Sequence, residues 1–161
     1  MSLLTTDLSD AYGGKVRIAE PIGLKDYGGN KLFNGQIYTI KCHEDNSYVR
    51  KALETDGTGK VLVVDGGGSM RCALLGDMLG ELGVKNKWNG VVVYGCIRDS
   101  AAMATLSIGV KALNTHPLKS NKQNIGQENI GVHFAGVDFA PGEWIYCDED
   151  GILVSATELT I

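Results

Sequence analysis

Proline is rare in this chain, with three residues in 161. That argues against proline-rich linkers and disordered spacers between folded units. No apolar run approaches the roughly 18 residues needed to span a membrane. The opening segment, MSLLTTDLSDAYGGK, lacks the basic-then-apolar order of an export signal. Neither membrane insertion nor export is therefore expected, and the cytoplasm is the expected location. An excess of positive charge is also missing: 15 Lys and Arg stand against 19 Asp and Glu, a net charge of −4. This gives no general attraction for nucleic acid, so direct nucleic-acid binding is not expected, while a protein partner remains open. The cysteines, Cys42, Cys72, Cys96 and Cys147, show no CxxC spacing, which disfavours a zinc knuckle and leaves small buried thiols of a reducing compartment. His43, His116 and His133 stand alone and are expected in structural or surface roles rather than as metal ligands.

Glycine, by contrast, is abundant, with 22 residues, which suits many tight turns between short elements. The length suits one domain spanning residues 1–161. TTDLSDAYG reads as a short helix capped by Thr or Asp and stopped at Gly13-Gly14. Alternation from Ile37 to Cys42 predicts a half-buried strand, and NSYVRKALET a helix capped by Asn46 or Ser47. KVLVVDGGGS and WNGVVVYGCI are β-branched apolar runs, hence strands covered on both faces. A helix is expected to start at Gly76-Asp77, which leaves Gly76 outside it and Asp77 in the first turn. SAAMATLSIG is predicted as the next helix, closed by Gly109. The stretch from Asn129 to Ser155 reads as two or three strands with turns at Pro141-Gly142 and Asp150-Gly151. Strand–helix units in the middle and strand pairs at the end describe an α/β domain: a central mixed, largely buried sheet with short helices against it.

Two segments invite a functional reading. DGGGSMR, residues 65–71, fits neither GxGxxG nor GxxxxGK[ST]; a tight turn with close backbone approach accounts for it. YGCIRDS places Arg98 and Asp99 side by side where a buried strand ends. Arginine can grip a carboxylate with two parallel hydrogen bonds, and aspartate can give an oxygen to a hard divalent cation. Ligands of α/β sheets gather where strands end and helices begin. The free amides of a helix starting at Gly76-Asp77-Met78-Leu79 could add anion binding. One substrate could meet both Arg98 and Asp99 only if the chain turns there. Together these elements describe a site for an α-keto acid. No lysine stands out in an apolar pocket, which disfavours a Schiff-base route.

FNGQIYTIKCHEDN, GKVLVVDGGGSMRCALLGDMLGELGVKN, GVVVYGCIRD and GVDFAPGEWIYCDEDGILVS resemble the RraA family nearly throughout. That family includes regulators of ribonuclease E and 4-hydroxy-4-methyl-2-oxoglutarate aldolases. Asp77, twenty intervening residues and Arg98-Asp99 match the spacing of its aldolase branch. The resemblance implies a swivelling β/β/α fold and a metal-dependent carbon–carbon lyase acting on pyruvate-derived keto acids, as aldolase, oxaloacetate decarboxylase or both. It further implies that Gly76, Asp77, Met78, Leu79 and Arg98 bind the pyruvate portion, with Asp77 and Arg98 catalytic. Asp99 would anchor Mg²⁺ or Mn²⁺, and the assembly would be a homotrimer or hexamer. Tyr27, Phe33, Tyr38 and Trp88 are candidate interface anchors, with core packing an equal alternative. The other role in the family, a protein-binding regulator with ribonuclease E as partner, is the alternative expectation.

Overall fold

Alternation within the apolar runs sets the layers. The computed structural model describes residues 3–161. It contains strands β1 (Arg17–Ile18), β2 (Lys25–Asp26), β3 (Phe33–Lys41), β4 (Lys60–Asp65), β5 (Ala73–Leu75), β6 (Gly90–Ile97) and β7 (Gly109–Thr115). These are followed by β8 (Gln127–Glu128), β9 (Val132–Phe134), β10 (Val137–Phe139), β11 (Trp144–Asp148) and β12 (Gly151–Ser155). The helices are α1 (Thr5–Tyr12), α2 (Ser47–Leu53), α3 (Asp77–Lys85) and α4 (Ser100–Met103). The main sheet runs β1-β12-β11-β3-β4-β6-β7-β2. Its centre, β3 to β7, is parallel, and both flanks are antiparallel.

On β4 and β6, Leu62, Val64, Val91 and Val93 face the layer containing Leu53, Leu79 and Met103 from α2, α3 and α4. Val61, Val63 and Val92 face the other side, against Phe134 and Phe139. A strand buried on both faces has no polar positions to spare, which explains the uninterrupted valine run. The result is the expected single α/β fold with a large mixed sheet and few, short helices.

Some local expectations change. The predicted helix over 100–109 stops at Met103, and Gly109 opens β7 instead of closing a helix. The reason lies across the sheet, where Phe33 packs on Gly90 and Gly109. A methyl group at either glycine would stand 2.2 or 2.1 Å from the ring. Phe33 and Trp88 are 5% and 3% exposed, so core packing claims both; Tyr27 and Tyr38 pack partly buried against that core. The turns at Gly142 and Gly151 fall where predicted, at the two ends of β11.

The helix caps also differ from the local prediction. Neither Asn46 nor Ser47 caps α2 with its side chain. Asp45 Oδ1 accepts from the Ser47 amide and hydroxyl instead, at 2.9 and 2.6 Å. At α1, Asp148 accepts from the amide and hydroxyl of Thr5 at 2.7 and 2.8 Å, from 143 residues away. A helix amide needs an oxygen at its end, whichever part of the chain supplies it.

All four cysteines are free and buried. Burial is the main cause that pushes the Cys42 thiol up to about 12, so it is an inert thiol at neutral pH. Lys111 departs from the expectation that no lysine lies in an apolar setting: it is 2% exposed. Its ammonium pairs with Asp26 at 3.1 Å, and it lines a cavity between residues 19–24 and 149–152, not the cleft described below. No helix among the described residues is long and apolar enough to cross a membrane.

Candidate active site

β4 pairs with β6 only as far as Asp65 opposite Tyr94. The chain then leaves the sheet through Gly66-Gly67-Gly68 and returns as β5, pairing Ala73 with Cys96 and Leu75 with Ile97. The DGGGSMR segment is thus a tight excursion. Gly67 and Gly68 adopt φ of 68° and 71°, and the amides of Gly66 and Gly68 both donate to the Tyr94 carbonyl at 3.1 Å. The left-handed backbone at these two positions calls for glycine.

This detour sets the end of β5 beside the end of β6. The Arg98 amide donates to the Leu75 carbonyl at 2.8 Å. Asp99 then takes left-handed angles, φ 56° and ψ 43°, uncommon for a residue other than glycine, although aspartate tolerates them better than most. The chain turns there as the two-residue clamp requires. Asp99 does not cap the helix it precedes. Its Oδ2 accepts from the Asp77 amide at 3.2 Å instead, across to the start of α3. Among the described residues, Arg98 and Asp99 form no ion pair, so each retains capacity for a ligand; the Arg98 guanidinium makes one long contact, 3.5 Å, to the Pro117 carbonyl.

α3 begins at Asp77 with Gly76 before it. Gly80 is the first residue whose amide reaches back to a carbonyl of this element, that of Gly76, at 2.9 Å. The amides of Met78 and Leu79 therefore lie ahead of the helical ladder and are available to an anion. Leu79 is buried and pins the helix to the core, whereas the Met78 side chain is 71% exposed. A methyl at Gly76 would stand 2.8 Å from Asp99 Oδ2 and 3.4 Å from Arg98 Cγ and Nε. Glycine here permits the contact between helix start and clamp.

Every residue picked from the sequence, Gly76 to Leu79, Arg98 and Asp99, thus lines one cleft of about 100 Å³. Sequence reasoning missed the four other polar residues that line it: Asn46, Arg50, Lys119 and Lys122. Asn46 and Arg50 fall within or beside the FNGQIYTIKCHEDN stretch, and that proximity was the available signal; the lysines carried none. Asn46 Nδ2 donates to the Leu74 carbonyl at 3.1 Å and its Oδ1 accepts from the Ser120 hydroxyl at 2.9 Å. One side chain thereby ties β5 to the segment that carries the lysines.

Two acids brace the surroundings. Glu44 binds Arg71 through Nε and Nη2 at 2.6 and 2.9 Å and accepts from the Ser69 hydroxyl at 2.6 Å. Those bonds, Arg71 first, hold its carboxyl near 2. Asp45 is buried, which by itself would raise its pKa. The hydrogen bonds from Ser47, Gln123 and Ile125 outweigh burial and hold it at about 2.

The histidines do not join this cleft. His133 pairs with Asp138 at 2.7 Å, and His116 Nδ1 accepts from the Leu118 amide at 3.1 Å. His43 lies 3.6 Å from Glu44. His43 and His133 line a larger cavity of about 590 Å³ with Asp65 and Tyr94. That cavity has Lys41 on its wall but neither a helix start nor an arginine.

A cation, free helix amides and a carboxylate thus meet at the ends of parallel strands of an α/β protein, an arrangement with the chemistry to receive an anion. Residues 5–154 match the family described as RraA-like, Aldolase/RraA, and the chain belongs to that family. It is 57% identical over 159 residues, 99% of this chain and 98% of the other, to a protein of Alkalilimnicola ehrlichii provisionally named 4-hydroxy-4-methyl-2-oxoglutarate aldolase. Among solved structures, the RNA-processing inhibitor RraA from Thermus thermophilis is 40% identical, with a TM-score of 0.95, over 99% of this chain and 96% of that one. A Geobacillus kaustophilus structure described as an S-adenosylmethionine:2-dimethylmenaquinone methyltransferase is 43% identical, with a TM-score of 0.95, over 98% of this chain and 97% of that one.

Proposed function

We propose that this protein is a divalent-metal-dependent carbon–carbon lyase acting on pyruvate-derived keto acids, as a 4-hydroxy-4-methyl-2-oxoglutarate aldolase, an oxaloacetate decarboxylase or both. The observation that carries the reading is the left-handed turn at Asp99, which brings Arg98 and Asp99 against the free amides of α3. The provisional aldolase name of the Alkalilimnicola relative supports the same direction.

The carboxylate of the keto acid accepts from the Met78 and Leu79 amides and from the Arg98 guanidinium, which fixes the keto group beside Asp99. In aldol cleavage the hydroxyl proton passes to water as its oxygen forms a new carbonyl, the adjacent carbon–carbon bond breaks, and its electron pair passes into the keto group to leave pyruvate enolate. Decarboxylation reaches the same enolate by loss of carbon dioxide. Asp77, on the cleft wall, positions the water that protonates the enolate carbon.

Asp99 suits a hard cation, since Asp77 donates to only one of its oxygens. Among the described residues no three His, Cys, Asp or Glu side chains are grouped to hold a metal. The donor set therefore fits an ion bound through one or two carboxylates, water and substrate, the habit of Mg²⁺ and, with similar oxygen ligands, Mn²⁺. When bound, the cation would stabilise negative charge developing on the keto oxygen.

The test is pyruvate release from oxaloacetate and from 4-hydroxy-4-methyl-2-oxoglutarate, measured side by side with Mg²⁺ or Mn²⁺. Asp99→Ala should abolish both activities without unfolding the protein. Full activity in excess chelator would reject metal dependence, and no pyruvate from either substrate would reject the lyase. A second reading, a regulator that binds ribonuclease E, draws on the likeness to the Thermus inhibitor. It requires ribonuclease binding that survives Arg98→Ala.

A further inference from the structure

We propose that Lys119 and Lys122 form a second carboxylate-binding arm of this cleft, one that selects keto acids carrying a carboxylate beyond the bond to be cleaved. The inference rests on the lyase reading for its substrate but on the structure for the arm itself.

The charge balance of the cleft comes first. Arg50, Arg98, Lys119 and Lys122 line it against only Asp77 and Asp99. One keto-acid carboxylate satisfies Arg98 and the α3 amides. The remaining cations have no anion in the cleft to meet, which suits a ligand with a second negative charge.

The lysines also sit on a backbone held in place by unusual means. Residues 118–125 bury little apolar surface, with Leu118 57% and Ile125 63% exposed. Hydrophobic burial is therefore not what fixes the segment. Hydrogen bonds rooted between β3 and α2 do so. The Asn121 amide donates to the Glu44 carbonyl at 3.1 Å, and the Gln123 and Ile125 amides donate to Asp45 at 2.8 and 3.1 Å. Ser120, itself buried, bonds to Asn46. Lys119 is held from the other side, because the Ala73 amide donates to the Leu118 carbonyl at 2.8 Å and Ala73 pairs with Lys119 in a parallel bridge. Burying Asp45 and Asn46 is costly unless each is fully bonded, and full bonding makes such a network rigid. What it makes rigid here is the backbone of two ammonium-bearing residues that line the cleft with Arg98.

The chemistry of the two proposed substrates then separates. The distal carboxylate of 4-hydroxy-4-methyl-2-oxoglutarate keeps its charge through cleavage and departs on a second pyruvate. The distal carboxylate of oxaloacetate is the group lost, and its charge passes into the enolate as carbon dioxide leaves. A cation on that group stabilises the ground state more than the transition state, so it lends little to the rate. The arm therefore favours aldol cleavage.

Calorimetric binding of a matched pair tests the arm without reference to turnover: 2-oxoglutarate, with a distal carboxylate, against 2-oxopentanoate, of equal length and lacking it. The wild type should bind 2-oxoglutarate about tenfold or more tightly, as loss of a charge-assisted pair implies. The double variant Lys119→Gln, Lys122→Gln should erase that preference while leaving 2-oxopentanoate binding within about twofold, and Lys122→Arg should retain it. In turnover, the double variant should raise KM for 4-hydroxy-4-methyl-2-oxoglutarate far more than it lowers oxaloacetate decarboxylation. A wild-type preference near one, or equal losses for both ligands, would overturn the arm whatever the enzyme's activity. A clear preference in a protein that releases no pyruvate would uphold the arm and reject the lyase.

Discussion

Replacing Asp45 with asparagine tests the polar root of the cleft. Asp45 is 5% exposed and accepts four hydrogen bonds: two from Ser47, one from the Gln123 amide and one from the Ile125 amide. Its carboxyl titrates at about 2 against an ordinary 3.8. A depressed folded-state pKa contributes stability that is fully present above the unfolded value and lost as pH falls through the folded one. The window here is about pH 4 down to about pH 2, and the contribution is about 2 kcal/mol at neutral pH. An asparagine side chain could still accept some of these bonds but carries no charge. Urea unfolding at fixed protein concentration should show Asp45→Asn less stable by about 2 kcal/mol at pH 7 and pH 5. The gap should narrow steadily below about pH 4. Hydrogen exchange should report faster opening of the Gln123 and Ile125 amides in the variant. A gap that stays constant from pH 6 to pH 3, or no gap at pH 7, would refute the account of Asp45 as a charged anchor.

Two further outcomes are expected. Gly76→Ala leaves the backbone unstrained, because φ is −122°, and should cost under about 1 kcal/mol of stability. Yet its methyl displaces Asp99 and Arg98 and should lower kcat/KM for pyruvate release roughly tenfold to a hundredfold; unchanged kinetics with an unchanged melting temperature would show that the clamp does not depend on this contact. We also propose a ring trimer or hexamer with the cleft near a subunit boundary, where the exposed Met78 and Leu118 would find cover. Light scattering at micromolar concentration should give three or six times the chain mass, and a monomer with full activity would reject it.

The sequence alone determined the strands whose residues leave no alternative. The runs at 60–65 and 90–97 are apolar at nearly every step, so both faces had to be covered, and they became adjacent parallel strands. It also determined the start of α3, because glycine before aspartate is a local signal, and it put Arg98 and Asp99 at a strand end. Its local rules failed where a distant residue outweighed them. Gly109 reads as a helix stop in its own segment, but Phe33 needs a flat surface there. Thr5 and Asp77 sit at helix starts whose capping oxygens come from Asp148 and Asp99, far along the chain. The same holds for the cleft. Its signed residues were legible because they lie next to one another or at a helix start. Lys119 and Lys122 were not, because only the sheet order and the Asp45 network bring residues 46, 98 and 119 around a single cleft. Hydrogen bonds and close contacts are satisfied in space, and a local pattern carries no record of which distant atom satisfies them.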